Sequence, residues 1–464
     1  MLELDCDVAV IGAGTAGIAA HRAATEAGAR SVLIERGAGG TTCARAGCMP
    51  SKLLVAAANA AHEARNSDLF GIRVSGVAVD GPAVLGRLRA ERDRFVDAVL
   101  AGIDALPGYE RLEGSARFHD GRNLTVGEHT RVAFRAAVIA TGSSPTIPKA
   151  LRGIGGRTLT TDTLFESPDL PDSLAVLGAG AVGIEIAQAM ARLGVPVTVL
   201  DAGDAVAGLS EPDLARQAAG IFGSELELHL GSTLEAAAPD GQGVRLDWID
   251  RDGRAQVTRV ARVLAATGRS PNLDGIGIEA AGLRLGADGV PDFDRRSPVC
   301  AGAQILIAGD ADAWRPVLHE ASRQGRIAGA NAAALAAGRA VEAPVPWTSL
   351  AMVFTHPQVA VIGAPYDPDA AGRLTGTVDF SDQGRARVEC RNRGGIRVWA
   401  DREGRLLGGE MLGPDVEHLA HLLTYAIEDG LSAQAMQDRP IYHPTVEEGF
   451  ATALSEITHI MTRF

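Results

Sequence analysis

Apolar positions along the chain alternate between strand-like runs and helical spacing, and the changes mark off repeating units. Residues 7–11 form a short apolar run of strand type. Gly12-Ala13-Gly14-Thr15-Ala16-Gly17 follows at once, opening an alanine-rich stretch that reads as helix and ends near Gly28. A second apolar run, 31–34, closes on Glu35. After a Gly-Thr-Thr loop, Pro50 opens a second alanine-rich helix running to about residue 65. Residues 82–106 place Val84, Leu85, Leu88, Phe95, Val96, Val99, Leu100 and Ile103 at helical spacing with Arg and Asp between them, which predicts a long amphipathic scaffold helix. Segments 114–118 and 137–143 read as strands, the second ending in small residues that let backbone approach a ligand closely.

The opening pattern then recurs. Run 173–177 leads into Gly178-Ala179-Gly180-Ala181-Val182-Gly183, and strand 195–200 closes on Asp201. Residues 262–272 complete this second unit through the turn at Gly268, 305–310 form a strand tipped by Asp310, and a helix runs from near Leu318 and His319 to 336. From 344 the character changes to strand-type segments at 359–362, 376–380, 395–400 and 406–412, followed by a helix over 416–429. The expected fold class is α/β, with two Rossmann-like dinucleotide-binding domains and a C-terminal α+β domain.

At 464 residues the chain has room for about three domains. Its formal charge of −13 leaves no reason to expect a basic face for nucleic acid or an anionic membrane. No uninterrupted apolar stretch of about 18 residues occurs and the first residues lack a signal-peptide pattern, so a soluble cytoplasmic protein is expected. The five cysteines are too scattered for a secreted disulfide framework, and Cys6, Cys300 and Cys390 read as small apolar residues.

Candidate chemistry gathers at three places. Each glycine loop lies between a strand and a helix, and each is followed at 23 positions from its first glycine by an acid, Glu35 or Asp201. That is the arrangement by which backbone approaches a pyrophosphate and a carboxylate accepts ribose hydroxyls. Asp201 repels a 2′-phosphate, and residues 202–205 offer no arginine to receive one, so NADH is expected over NADPH. The second place is Cys43 and Cys48, which enclose four residues. Cys48 precedes a helix whose positive end favours a thiolate, and Cys43 sits on the loop, free to reach a substrate. A redox disulfide, two packed thiols and half a metal site all remain open, although zinc sites add a second close pair of ligands and none lies nearby. The third is His443, with Glu448 five positions on; by spacing alone it reads as a packed or surface histidine. Asp310, likewise, is either a cofactor ligand or a helix cap.

Taken together, these features resemble the class I pyridine nucleotide-disulfide oxidoreductases over essentially the whole chain, most of all dihydrolipoamide dehydrogenase. The resemblance implies FAD held by Gly12, Gly14, Gly17, Glu35 and Asp310, with Thr42, Lys52, Ala116, Thr141, Gly142, Ser143, Leu318 and His319 around it. It implies NAD at Gly178, Gly180, Gly183, Glu185, Asp201 and Gly268. By the same resemblance Cys48 is the charge-transfer thiol, Cys43 the interchange thiol and His443 the acid/base oriented by Glu448. Lys52 and Glu185 then form a charge pair beside the flavin. The expected domains are 1–148 and 270–343 for FAD, 149–269 for NAD and 344–464 for dimerisation. The enzyme is expected to be a homodimer in which the His443 segment of one subunit covers the cysteine pair of the other.

Departures from the family pattern bear on the substrate. Arg45 lies inside the cysteine loop and suggests an acidic disulfide partner, while Ile441 and Tyr442 stand where lipoamide enzymes carry a second histidine. The chain ends without the cysteine pair of mercuric reductase, so mercury is not expected; Asp201 disfavours glutathione reductase. The leading expectation is electron transfer between a dihydrolipoamide-like dithiol and NAD through FAD and Cys43/Cys48. An NADH-dependent metal-ion or quinone reductase, or a non-catalytic redox sensor, are the alternatives.

Overall fold

The computed structural model describes residues 2–463. The chain divides into two compact units, one formed by 1–50, 89–146 and 268–346, the other by 51–88, 147–267 and 347–464.

In the first unit a central sheet runs in the order Arg111–Glu113, Ser31–Glu35, Leu2–Ile11, Thr130–Ile139, Asn123–Val126, Ala116–Phe118. Ile305–Ile307 adds parallel to Thr130–Ile139. Ser31–Glu35 and Thr130–Ile139 flank Leu2–Ile11, both parallel to it, and only the 123–126 and 116–118 edge is antiparallel. Val8 and Val10 join an apolar set with Leu33, Val138 and Leu306, whereas Ala9 and Ile11 join another with Val32, Ile34 and Ile139. Alternate residues of one strand are thus buried on opposite faces, which explains why a parallel strand reads as an unbroken apolar run. Helices Thr15–Glu26 and Leu318–Ala336 cross with their backbones close, since a Cβ at Gly325 would lie 2.2 Å from Ala16 O and one at Gly329 2.0 Å from Ala20 O.

The second unit holds a parallel sheet in the order Glu227–Leu230, Val197–Asp201, Leu174–Leu177, Arg262–Ala265, Thr158–Leu159. A three-stranded antiparallel meander follows, Thr233–Asp240, Gly243–Ile249 and Ala255–Val260. Beyond 347 an antiparallel sheet runs Leu350–Val353, Gln358–Gly363, Leu406–Gly413, Gly395–Ala400, Leu374–Asp379, packed by helices Val416–Glu428 and Glu447–Met461. Residues 51–88 belong here because Leu54, Ala58, Leu85 and Leu88 are buried with Phe165, Ile186 and Met190.

Several local expectations need correction. Cys43 does not lie on an open loop but on a helical turn, Thr42–Arg45, capped by the Thr41 side chain. The following helix starts at Cys48, two residues before Pro50. The strand expected at 114–118 covers only Ala116–Phe118, because Gly114 sits at φ 139°. Cys6 and Cys300 are buried as expected, whereas Cys390 is exposed. The meander was not foreseen: its middle strand sends only alternate residues, Val244, Leu246 and Trp248, to the core, joined there by Val260 at the end of the third strand. Among the described residues no helix is long and apolar enough to cross a membrane, and no cluster of His, Cys, Asp and Glu is arranged to hold a metal.

Candidate active site

The two glycine loops are built alike. A Cβ on Gly12 would lie 2.3 Å from Ala140 O, and one on Gly17 1.7 Å from Gly12 O; the counterparts are Gly178 against Ala266 O at 2.4 Å and Gly183 against Gly178 O at 1.9 Å. These glycines are required by packing. Gly14 and Gly180 instead face open space, and each caps a helix, Thr15–Glu26 or Ala181–Arg192, without any side-chain bond to the first N–H groups. Uncapped N–H groups beside an open glycine form a cradle for a phosphate. The closing acids repeat the same bonding. Glu35 accepts from Ala13 N at 2.8 Å and Gly37 N at 2.7 Å, and Asp201 accepts from Ala179 N and, at 2.6 Å, Gly203 N. Each carboxylate is therefore oriented by backbone, with lone pairs left for ribose hydroxyls.

Around the first loop, Ser143 Oγ donates to Asp310 Oδ2 at 2.7 Å, and Arg269 Nε donates to the same Ser143 Oγ at 2.8 Å. Asn272 Nδ2 donates to Thr141 O at 3.1 Å, and Gly142 takes φ 68°. Thr141 Oγ1 is buried with no hydrogen-bond partner, as is Gln324 Nε2, whose Oε1 accepts from Gly309 N at 2.7 Å. Orphaned polar atoms beside an uncapped helix fit a polar cofactor such as FAD. Of the other residues expected there, Ala116 is buried, while Thr42, Leu318 and His319 are exposed. Asp312, two residues beyond Asp310, was not singled out by sequence. Burial pushes its carboxyl up to about 7, with the negative charges of Asp310 and Glu320 acting in the same direction.

Cys43 and Cys48 sit on consecutive helical segments joined by Gly47, where a Cβ would lie 3.0 Å from Thr42 O and 3.2 Å from Cys43 Cα. Glycine there lets the two turns stack closely. Arg45, expected to face an acidic partner, instead turns back on its own loop: Nε donates to Gly39 O at 3.0 Å and Nη2 to Ala38 O at 3.3 Å. Cys43 lies on the wall of a cavity of about 690 Å³ with Ile18, Phe95, Val99, Ile103 and Leu318. Arg22 and the buried His21 also line it. His21 Nδ1 bonds Ser31 Oγ at 2.9 Å and Nε2 lies 3.2 Å from Glu110 Oε2; burial lowers its pKa, opposed by Glu110.

In the second unit Lys52 Nζ meets Glu185 Oε1 at 2.7 Å, and Glu185 Oε2 accepts from Phe354 N at 2.9 Å. The ammonium stands 4.5 Å from the centre of the Phe354 ring. Sequence did not point to Phe354, which comes from a strand-end segment 169 residues beyond Glu185. His443 Nδ1 lies 2.8 Å from Glu448 Oε1, while Glu448 Oε2 accepts from Thr445 N at 3.1 Å. These two bonds hold the Glu448 carboxyl below the usual glutamate range. An ionised carboxylate only accepts, so Nδ1 carries the proton and Nε2 is the nitrogen with the lone pair. The imidazole is 80% exposed.

Residues 6–334 match the pyridine nucleotide-disulphide oxidoreductase family, and 349–454 match its dimerisation domain. The chain is 33% identical over 485 residues to a dihydrolipoyl dehydrogenase of Haloferax volcanii, with 98% of each covered. It is equally 33% identical over 476 residues to a mercuric reductase of Streptomyces lividans, covering 97% of this chain and 96% of that one. Among solved structures, LpdA from Mycobacterium tuberculosis shares the fold with a TM-score of 0.82 at 24% identity, covering 98% of this chain and 99% of that one. The Cu(II) complex of the HOCl-induced flavoprotein disulfide reductase RclA from Escherichia coli does so with a TM-score of 0.82 at 21% identity, covering 97% and 99%. Matched from near its first residue to near its last, the chain belongs to the pyridine nucleotide-disulphide oxidoreductases, enzymes whose cofactors are FAD and NAD(P), with NAD used by its dihydrolipoyl dehydrogenase relatives.

Proposed function

We propose that this enzyme passes two electrons between NAD and a small aliphatic dithiol, of which a dihydrolipoyl group is the leading candidate. The observation that carries the reading is the apolar cavity beside Cys43, whose Ile18, Phe95, Val99, Ile103 and Leu318 suit a hydrocarbon chain better than a charged peptide. The first glycine loop with Glu35, Thr141 and Asp310 would hold FAD, and the second with Asp201 would hold NAD. Cytoplasmic placement agrees with five cysteines that form no secretory framework.

In the dithiol-oxidising direction one substrate thiolate attacks the Cys43 sulfur of the oxidised pair, the Cys43–Cys48 bond breaks, and Cys48 leaves as thiolate. His443 Nε2, oriented through Nδ1 by Glu448, takes the proton of the second substrate thiol. That sulfur then attacks the mixed disulfide, releasing a cyclic disulfide and the Cys43 thiol. The disulfide of the cysteine pair is restored when its two electrons pass on, for which FAD and NAD, held at the two glycine loops, would supply the acceptor. Cys48, at the first residue of its helix, is the better placed of the two to be held as an anion by the positive helix end.

Dihydrolipoyl dehydrogenase and mercuric reductase relatives stand at the same identity, so the deciding experiment offers both kinds of substrate. Turnover is measured with dihydrolipoamide and NAD, lipoamide and NADH, mercuric ion and quinones. The proposal expects lipoamide turnover that Cys43→Ser abolishes. Turnover only of a metal ion or quinone, surviving Cys43→Ser, would overturn it in favour of a reductase of the second kind. No turnover with any substrate would favour a redox sensor.

A further inference from the structure

The sequence places no arginine in the 202–205 loop after Asp201, but the fold brings one there. Arg251, on the turn between meander strands Gly243–Ile249 and Ala255–Val260, forms an ion pair with Asp204. Two backbone bonds seat the intervening segment: Gly231 N donates to Gly203 O at 2.9 Å and Ser232 N to Asp201 O at 2.7 Å. A Cβ at Gly231, which sits at φ 69°, would lie 3.1 Å from Arg251 Nε and 3.3 Å from Asp204 Oδ1. The guanidinium therefore lies over a loop whose Gly203 N–H also holds the Asp201 carboxylate.

We propose that Asp204 is a second specificity-determining residue for the nucleotide, acting by keeping Arg251 engaged. This inference rests on the reading of the second unit as the NAD site. An arginine fork matches a phosphate well. Left without a carboxylate partner beside the ribose-reading acid, it would receive a 2′-phosphate, and Asp201 alone would then be the only barrier to NADP. With Asp204 present, the loop carries two acids and the guanidinium over it is neutralised. Both side chains of the pair are well exposed, at 61% for Arg251 and 79% for Asp204, so the bond is exchangeable rather than part of a core.

The test is calorimetric titration of the FAD-loaded protein with ADP-ribose and with 2′-phospho-ADP-ribose, neither of which is redox-active. Proteins compared are wild type, Asp201→Ser, Asp201→Ser/Asp204→Asn, and that double variant with Arg251→Gln. The second substitution is expected to tighten the 2′-phosphorylated ligand roughly tenfold over Asp201→Ser alone, the size of one charge-assisted hydrogen bond. Arg251→Gln should cancel that gain while ADP-ribose binding stays level. A gain that persists without Arg251 would reduce Asp204 to a simple repulsive charge and overturn the proposal, as would no gain. Failure of wild type to bind ADP-ribose would remove the nucleotide reading itself and the proposal with it.

Discussion

Lys52 and Glu185, separated by 133 residues of sequence, meet with Nζ 2.7 Å from Oε1, and the carboxylate is completed by the N–H of Phe354. Glu185 is nearly buried, with its side chain 6% exposed, whereas Lys52 keeps 34% of its own. Removing one partner of a fully buried pair costs ~3–5 kcal/mol. Solvent at the lysine lowers the expectation for Lys52→Met to about 2 kcal/mol. Lys52→Met/Glu185→Gln, which leaves no stranded charge and keeps the acceptor for Phe354, should recover most of it. Urea midpoints of the FAD-loaded proteins check this; a single variant as stable as wild type would deny the pair any structural weight.

The glycines of the first loop should separate by function. Gly17→Ala drives a Cβ to 1.7 Å from Gly12 O and is expected to prevent the loop from forming, so the protein fails to accumulate in soluble form. Gly14→Ala meets nothing in the protein and has φ −78°, which any residue adopts. It is therefore expected to fold but to carry less flavin after purification, read from visible absorbance, with the melting temperature of flavin-free protein unchanged. Full flavin content in Gly14→Ala would mean that no ligand approaches that glycine.

What the sequence displayed was local and periodic. Strands buried on both faces, such as 8–11 and 305–307, are apolar throughout, and the glycine loops keep a fixed spacing between a strand and a helix, so both could be read along the chain. The pairing of Lys52 with Glu185 was reached only through resemblance. Phe354, Asp312 and Arg251 were missed because nothing in their own neighbourhoods marks them. Phe354 acts through its backbone, Asp312 through burial, and Arg251 through a turn of a meander whose outward residues, such as Arg245 and Asp247, are polar and exposed. Arg45 shows the converse error: a charge in the reactive loop suggested recognition, yet its guanidinium bonds the Ala38 and Gly39 carbonyls.

Asp312 should make stability depend on pH. Its carboxyl, 5% exposed, is pushed up to about 7 when folded, against an unfolded value of ~3.9. A raised acid favours the folded state fully below the unfolded pKa, and that contribution is lost as pH rises through the folded one. Between about pH 4 and 7 the wild type should therefore lose up to ~4 kcal/mol relative to Asp312→Asn, with no further change above about pH 8. Thermal unfolding of both proteins at pH 5 and pH 8 checks the sign. An equal difference at the two values would show that Asp312 titrates normally.

The last prediction concerns how many chains make one working site. His443 and Tyr442 are exposed at 80% and 83%, an unusual situation for an acid/base that must exclude bulk water, and the segment belongs to the family's dimerisation domain. Leu422 and Tyr425, exposed at 38% and 61% in the same matched segment, are apolar side chains that a second chain would cover. If each site joins Cys48 of one subunit to His443 of the other, Cys48→Ser and His443→Gln homodimers should each be nearly inactive. For His443→Gln the expected loss is roughly 10²–10⁴ in turnover. Unfolded together and refolded as a mixture, they should yield hybrid dimers in which one site keeps both residues and the other neither. A statistical mixture is half hybrid, and each hybrid has one intact site of two, so activity should return to about a quarter of refolded wild type. Wild type refolded under the same conditions gives the reference, and size-exclusion chromatography confirms that the active species is a dimer. A mixture that stays inactive beside active wild type would place His443 in service of its own chain.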